Sequence, residues 1–161
     1  MDAMNHPRDF QAGKRPWCLP TFLDAGRWRR TRDFRTLLVD NDSSTVKTIT
    51  DALFDRGYSA TIASSSEVGT EALRERVFDM VIVDFTMASL NGFHILKKAK
   101  EVSPETIVIM LISNADVQFA INALRFGADD YLLKPCNPDV LTKRIANYLE
   151  RLGPRRNGNK P

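Results

Sequence analysis

Between residues 35 and 152 the chain alternates short apolar runs with longer segments striped at helical spacing. Thr36-Leu37-Leu38-Val39-Asp40 reads as a buried strand ending in an acid. Asp42, Ser43 and Ser44 then offer N-caps, and Val46, Ile49, Leu53 and Phe54 mark one helix face until Gly57 stops it. A short strand is predicted over 58–62. Ser64 to Ser66 cap a second helix with Val68, Ala72 and Leu73 turned inward. The run Val81-Ile82-Val83-Asp84 has consecutive β-branched residues, the mark of a strand buried on both faces. A third helix carries Ile95, Leu96, Ala99 and Val102, and Pro104 separates it from a strong strand over 106–112. Val117, Ala120, Ile121 and Leu124 stripe a fourth helix, closed by Gly127. Asp130-Tyr131-Leu132-Leu133 makes the fifth strand, and Leu141, Ile145, Tyr148, Leu149 and Leu152 stripe the last helix.

Strand and helix thus alternate five times, with connections too short for anything but right-handed crossovers onto a parallel sheet. The predicted class is α/β: a flavodoxin-like (βα)5 doubly wound parallel sheet with strand order 2-1-3-4-5. All strands then point one way, so Asp40, Asp84, Ile112, Ser113 and Lys134 gather along one sheet edge. In that order the first and third strands are neighbours at the switch point, which sets Asp40 against Asp84.

Composition narrows the function classes. The longest aliphatic run is far short of the ~20 residues that span a bilayer, and the N-terminus lacks the apolar core of a signal peptide. Two cysteines, Cys18 and Cys136, give neither a disulfide framework nor metal-ligand spacing. The expectation is a cytoplasmic protein with no membrane contact. The net charge is +3 and the pI about 9.0, yet residues 35–152 hold 13 basic against 16 acidic side chains. The basic excess lies in the ends, so direct nucleic-acid contact is not expected. Three parts follow: a basic, flexible arm over 1–34, a domain over 35–152, and a basic tail over 153–161. Within the arm, Trp17, Phe22 and Trp28 are unusual for a solvated segment.

Two carboxylates a few ångströms apart repel, and both stay ionised when a cation sits between them. Oxygen-only ligands at a water-accessible site favour Mg²⁺, which keeps several waters and accepts a phosphate as co-ligand. Lys134 adds a point charge suited to a phosphoryl oxygen. An acidic pocket, a hard cation and a lysine form a device for accepting a phosphoryl group on a carboxylate.

Over residues 35–152 the chain resembles the receiver domain of two-component response regulators. The matching stretches are Leu37-Leu38-Val39-Asp40-Asn41-Asp42, Val81-Ile82-Val83-Asp84-Phe85-Thr86-Met87 with Gly92, and Gly127-Ala128-Asp129-Asp130-Tyr131-Leu132-Leu133-Lys134-Pro135. The 50-residue interval from Asp84 to Lys134 is also typical of that family. The resemblance implies that Asp84 is the phosphoacceptor, with Asp40 in the acid pocket and Lys134 on the phosphoryl group. It places Mg²⁺ on Asp40, Asn41, Asp84 and the backbone carbonyl of Thr86, and makes Tyr131 the aromatic switch. It further implies a cis Lys134–Pro135 bond and a phosphoacceptor role rather than enzymatic turnover. The donor would be a histidine kinase or phosphotransfer protein. Output would run through a protein target on the face of helix four, strand five and helix five, or through a homodimer.

Three positions depart from the family pattern. Asn41 stands where a second acid is usual, which predicts weaker metal binding and slower phosphorylation. Counting back 22 residues from Lys134 puts Ile112, not Ser113, where the family carries a switch hydroxyl; strand alternation would turn Ser113 elsewhere. Ala88 replaces a common proline. These departures leave a second reading, a receiver that docks partners without phosphorylation. A haloacid-dehalogenase-type phosphatase wants an acid where Thr86 stands, and flavin binding at Ser43-Ser44-Thr45 lacks glycine and faces nearby acids. Nine residues follow Leu152 in this sequence, and the expectation is a receiver without an output domain, or one cut from something longer.

Overall fold

In a computed structural model, residues 34–85, 91–113 and 117–152 are described. Five strands alternate with five helices: β1 (Arg35–Val39), α1 (Ser43–Phe54), β2 (Ser59–Ala63), α2 (Ser66–Glu75), β3 (Met80–Asp84), α3 (Asn91–Val102), β4 (Ile107–Ile112), α4 (Val117–Arg125), β5 (Asp130–Leu133) and α5 (Pro138–Leu152). The sheet is parallel throughout, in the order β2-β1-β3-β4-β5. This is the predicted flavodoxin-like arrangement.

Every residue of β3 and β4 is buried, as expected where helices cover both faces. Side-chain alternation divides the core into two layers. Val39, Val83, Met110 and Ile112 pack on one side with Leu73, Ile95 and Ala123, under α2, α3 and α4. Leu38, Ile82, Ile109 and Leu111 pack on the other with Ile49, Leu53, Leu141 and Ile145, under α1 and α5. Each such aliphatic side chain, fully removed from water, contributes about 1.5–3 kcal/mol of transfer free energy.

Local chemistry sets the element ends. The Asp42 carboxylate caps α1 by accepting from the N–H groups of Ser44 and Thr45, and the Ser65 hydroxyl accepts from Val68 N–H at the start of α2. Gly57 and Gly127 follow α1 and α4 with φ of 80° and 97°, a backbone region that costs a side-chain-bearing residue strain. At the sheet end away from the acids, the Asp129 carboxylate accepts from Val108 N–H and from Lys100 Nζ, both at 2.7 Å. Lys100 Nζ also donates to the Thr106 carbonyl, so α3, β4 and β5 are tied together there.

Some inward assignments from helical spacing do not hold. Val68 is 50% exposed, whereas neighbouring Gly69 faces the core. A Cβ at Gly69 would stand 3.1 Å from Val39 Cγ2 and 3.2 Å from Ile95 Cδ1, so α2 turns its smallest residue inward to approach β1 and α3. Phe54, Ile121 and Leu124 are also exposed at the surface. The short strand runs over Ser59–Ala63 rather than 58–62. The arm at 1–33 and the tail at 153–161 lie outside the described residues.

Candidate functional site

Three strand tips build the site. Asp40 directly follows β1, Asp84 is the last residue of β3, and Lys134 directly follows β5. Asp84 lies on the same sheet face as Met80 and Ile82, because alternation sends Phe85 to the opposite layer. Leu38 and Leu132 lie on that face too, so the same two-residue period brings Asp40 and Lys134 to it.

Lys134 Nζ lies 3.0 Å from Asp40 Oδ2 and 2.9 Å from Asp84 Oδ2. The two carboxylates are almost fully buried, at 1% and 3% exposure. Asp40 Oδ1 accepts the N–H of Asp42 at 2.8 Å, and the N–H of Asp40 donates to the Ala63 carbonyl. Asp40 is therefore fixed by contacts to both of its oxygens. Lys134 is flanked by a cis peptide to Pro135, as the resemblance implied.

The electrostatics follow from this burial. Burial pushes the Asp40 carboxyl above its ordinary range, although the Asp42 N–H and the Lys134 ammonium both pull it down. Burial alone would lower Lys134, but its bonds to Asp84 and Asp40 outweigh that and raise it. Two carboxylates and one ammonium leave the pocket with a net charge of −1. Bonds from Thr45 hold Asp42 below the usual carboxylate range. Its oxygens are engaged by Ser44 and Thr45 at the α1 cap, which explains why it does not substitute for the acid missing at Asn41. Burial raises the Cys136 thiol, which packs against the α1–α5 layer.

The predicted metal donors Asp40 and Asp84 are brought together, with Asn41 exposed beside Asp40. Thr86 and Ala88 lie outside the described residues. Among the described residues no three His, Cys, Asp or Glu side chains gather closely enough to hold a metal. The donor set is therefore two carboxylates and a neutral amide, all oxygen, which fits Mg²⁺ at reduced charge.

Strand pairing places the switch candidates. Asp84 pairs with Leu111, and Ile112 with Leu133. Ile112 is buried in the α2–α4 layer beside Met110, on the opposite side of the sheet from the acids. Strand alternation continued one residue past β4 would set Ser113 on the face of Leu111 and Asp84. The N–H of Lys134 donates to the Ile112 carbonyl at 2.9 Å, which brings Lys134 and the Ile112–Ser113 junction level. Gap-free counting thus points to Ile112, whose side chain lies on the face away from the acids. Tyr131 pairs with Met110 and is half-buried against the α2–α4 layer.

Two features escaped sequence reasoning. Lys134 bridges both acids rather than flanking them, and the start of α3 presses on the end of β3. A Cβ at Gly92 would come within 3.0 Å of the Asp84 carbonyl oxygen and of Phe85 Cα. The glycine eight residues after Asp84 was the available signal for that contact.

A family model described as the response regulator receiver domain matches residues 36–146. The chain is 36% identical over 116 residues to the alginate biosynthesis transcriptional regulatory protein AlgB of Pseudomonas aeruginosa, covering 72% of this chain and 26% of that protein. It thus spans about a quarter of that relative's length. Among solved structures it is similar to a response regulator receiver domain protein from Clostridium thermocellum, with a TM-score of 0.67 and 33% identity over 73% of this chain and 95% of that one. The BeF3-activated receiver domain of DrrB, a Thermotoga maritima protein, matches with a TM-score of 0.66 and 30% identity, covering 73% and 98%.

Proposed function

The chain belongs to the response regulator receiver family of two-component signalling, and from that membership we propose that it signals by accepting a phosphoryl group on Asp84. Receiver domains are phosphoacceptor modules rather than enzymes, are typically Mg²⁺-dependent, and take part in two-component systems with histidine kinases. The observation that carries the proposal is the shared ammonium: Lys134 Nζ sits within 3.0 Å of both buried carboxylates.

A phosphohistidine of a kinase or phosphotransfer protein is the donor. An Asp84 carboxylate oxygen attacks phosphorus, the P–N bond breaks, and its electron pair returns to the imidazole nitrogen, leaving an acyl phosphate. Asp40, Asp84, the Asn41 amide oxygen and the Thr86 carbonyl would hold Mg²⁺, which would supply charge neutralisation for the phosphoryl oxygens. Lys134 turns from carboxylate to phosphoryl oxygen without leaving the pocket, and Ser113 offers the nearby hydroxyl. The added charge, close to two units, shifts the populations of the face formed by α4, β5 and α5. Ile121, Leu124, Leu133 and Val140 are all exposed on those elements, which suits a protein target or a second copy of the chain. Residues 1–34, 35–152 and 153–161 serve as arm, receiver and tail of a cytoplasmic protein. Among the described residues no helix is long and apolar enough to cross a membrane.

A second reading, docking without phosphorylation, is favoured by Asn41, a neutral amide where a second acid is usual. Phosphate-affinity electrophoresis with a small acyl phosphodonor and Mg²⁺ separates the two. Signalling requires a retarded band that disappears in Asp84→Asn; docking predicts no such band at any Mg²⁺ concentration.

A further inference from the structure

Asp84 and Phe85 are neighbours in sequence but lie on opposite faces of the sheet, so a change at the carboxylate reaches the α2–α4 layer through one peptide bond. Phe85 is 6% exposed, and its backbone N–H donates to the Leu111 carbonyl at 2.8 Å, which holds it in the sheet. Its centroid is 5.1 Å from that of Phe93 on α3, at an interplanar angle of 82°. Phe93 in turn lies 4.8 Å from Phe126 at 62°. Both are edge-to-face contacts. Phe126 is 68% exposed, so burial alone accounts poorly for its position. Its N–H donates to the Asn122 carbonyl and that of Gly127 to the Leu124 carbonyl, which fix the turn that carries it.

A second contact operates at the same place. Gly92, next to Phe93, has no room for a Cβ against the Asp84 carbonyl oxygen and Phe85 Cα, each 3.0 Å away, or Met110 Cε at 3.2 Å. Close-packed atoms transmit displacement instead of absorbing it. The first turn of α3 therefore has no slack toward the acceptor strand.

We infer that this turn is a rigid connector, and that the state of Asp84 is read at the surface by Phe126 through the series Phe85, Phe93 and Phe126. The inference rests on Asp84 being the acceptor. It adds a route distinct from the one through Ser113 and Tyr131, and it ends at the turn between α4 and β5.

The test uses ¹⁹F NMR of the full chain labelled with fluorophenylalanine, with Phe126 assigned by Phe126→Leu. Beryllofluoride with Mg²⁺ is the probe, and its own bound resonance reports occupancy of Asp84 in the same spectrum. The expected result is a shifted Phe126 resonance on binding. Phe93→Leu should lose that shift while keeping the bound beryllofluoride signal, and Phe85→Leu should lose it likewise, as an independent break at the other joint. An unchanged Phe126 shift in the folded Leu variants would overturn the connector, as would a static Phe126 beside a bound probe. Absence of any bound beryllofluoride in the parent protein would remove the acceptor reading itself, and the connector with it.

Discussion

Replacing Asp84 by Asn should stabilise the protein, although it deletes an ion pair. Both carboxylate oxygens lie within 3.0 Å of one ammonium nitrogen, so they are at most about 6 Å apart and repel by about 3 kcal/mol at an effective dielectric of about 20. The lost attraction to Lys134, at just under 3 Å, is about 5–6 kcal/mol on the same scale. Against that stand the relieved repulsion and the avoided desolvation of one buried carboxylate, itself several kcal/mol. The balance favours Asn by about 1–2 kcal/mol, with a neutral Asp40–Lys134 pair left behind. Lys134→Met has the opposite sign: two buried acids lose the ammonium that pairs with both of them, and the cost is about 3–5 kcal/mol. That cost should shrink as pH falls, because Asp40, already raised by burial, then takes up a proton in the folded state. Urea unfolding in chelator, with unchanged m-values, measures both. Mg²⁺ should then raise the stability of the parent protein by mass action, and that of Asp84→Asn much less. Destabilisation by Asp84→Asn, or indifference to Lys134→Met, would refute the charge argument.

Four further outcomes follow. Asn41→Asp restores a carboxylate beside Asp40, so calorimetric titration should show tighter Mg²⁺ binding, at the expense of metal-free stability. Gly92→Ala presses a Cβ onto backbone atoms at 3.0 Å and should cost about 1–3 kcal/mol in urea unfolding, whereas Gly127→Ala meets nothing within 4 Å and should cost about 1–2 kcal/mol through its positive φ. Ile112→Val should lose about 0.5–1.5 kcal/mol of stability without changing phosphorylation, while Ser113→Ala should change the lifetime of the phosphorylated form and leave the unfolding midpoint near that of the parent. At alkaline pH, Lys134 is raised above 10.5, and Tyr148 is pushed up to about 12 by burial and by Asp130 and Asp129. Each therefore contributes stability that is complete below its unfolded value and is lost as pH rises through its folded one. Burial also raises Tyr58, so phenolate absorbance should show a late-titrating component that Tyr148→Phe diminishes.

Periodicity was enough to place the five strands, because consecutive β-branched residues in β3 and β4 have no other comfortable setting. The acids were legible for the same reason: a charged residue closing a buried strand has to emerge at the edge. The Asp42 cap and the turns at Gly57 and Gly127 follow from local backbone chemistry alone. Ile112 and Ser113 were not separable, since their faces depend on pairing Asp84 with Leu111 across the sheet. A shift of one residue along the strand reverses the answer. Val68 misled because amphipathic spacing rewards the larger apolar residue, whereas the approach of α2 to Val39 and Ile95 needed Gly69. The contact between Phe93 and Phe126 joins α3 to the turn after α4, remote in sequence, and leaves no local trace.

Mapping the modified residue tests the central assignment most directly. Protein treated with a small acyl phosphodonor and Mg²⁺, then reduced with borohydride to trap the acyl phosphate as its alcohol, is digested and its peptides are weighed. Reduction at Asp84 alone, absent from untreated protein and from protein treated in chelator, is the expected result. A trapped label on Asp40 or elsewhere with Asp84 unmodified, or no label at all, would contradict it.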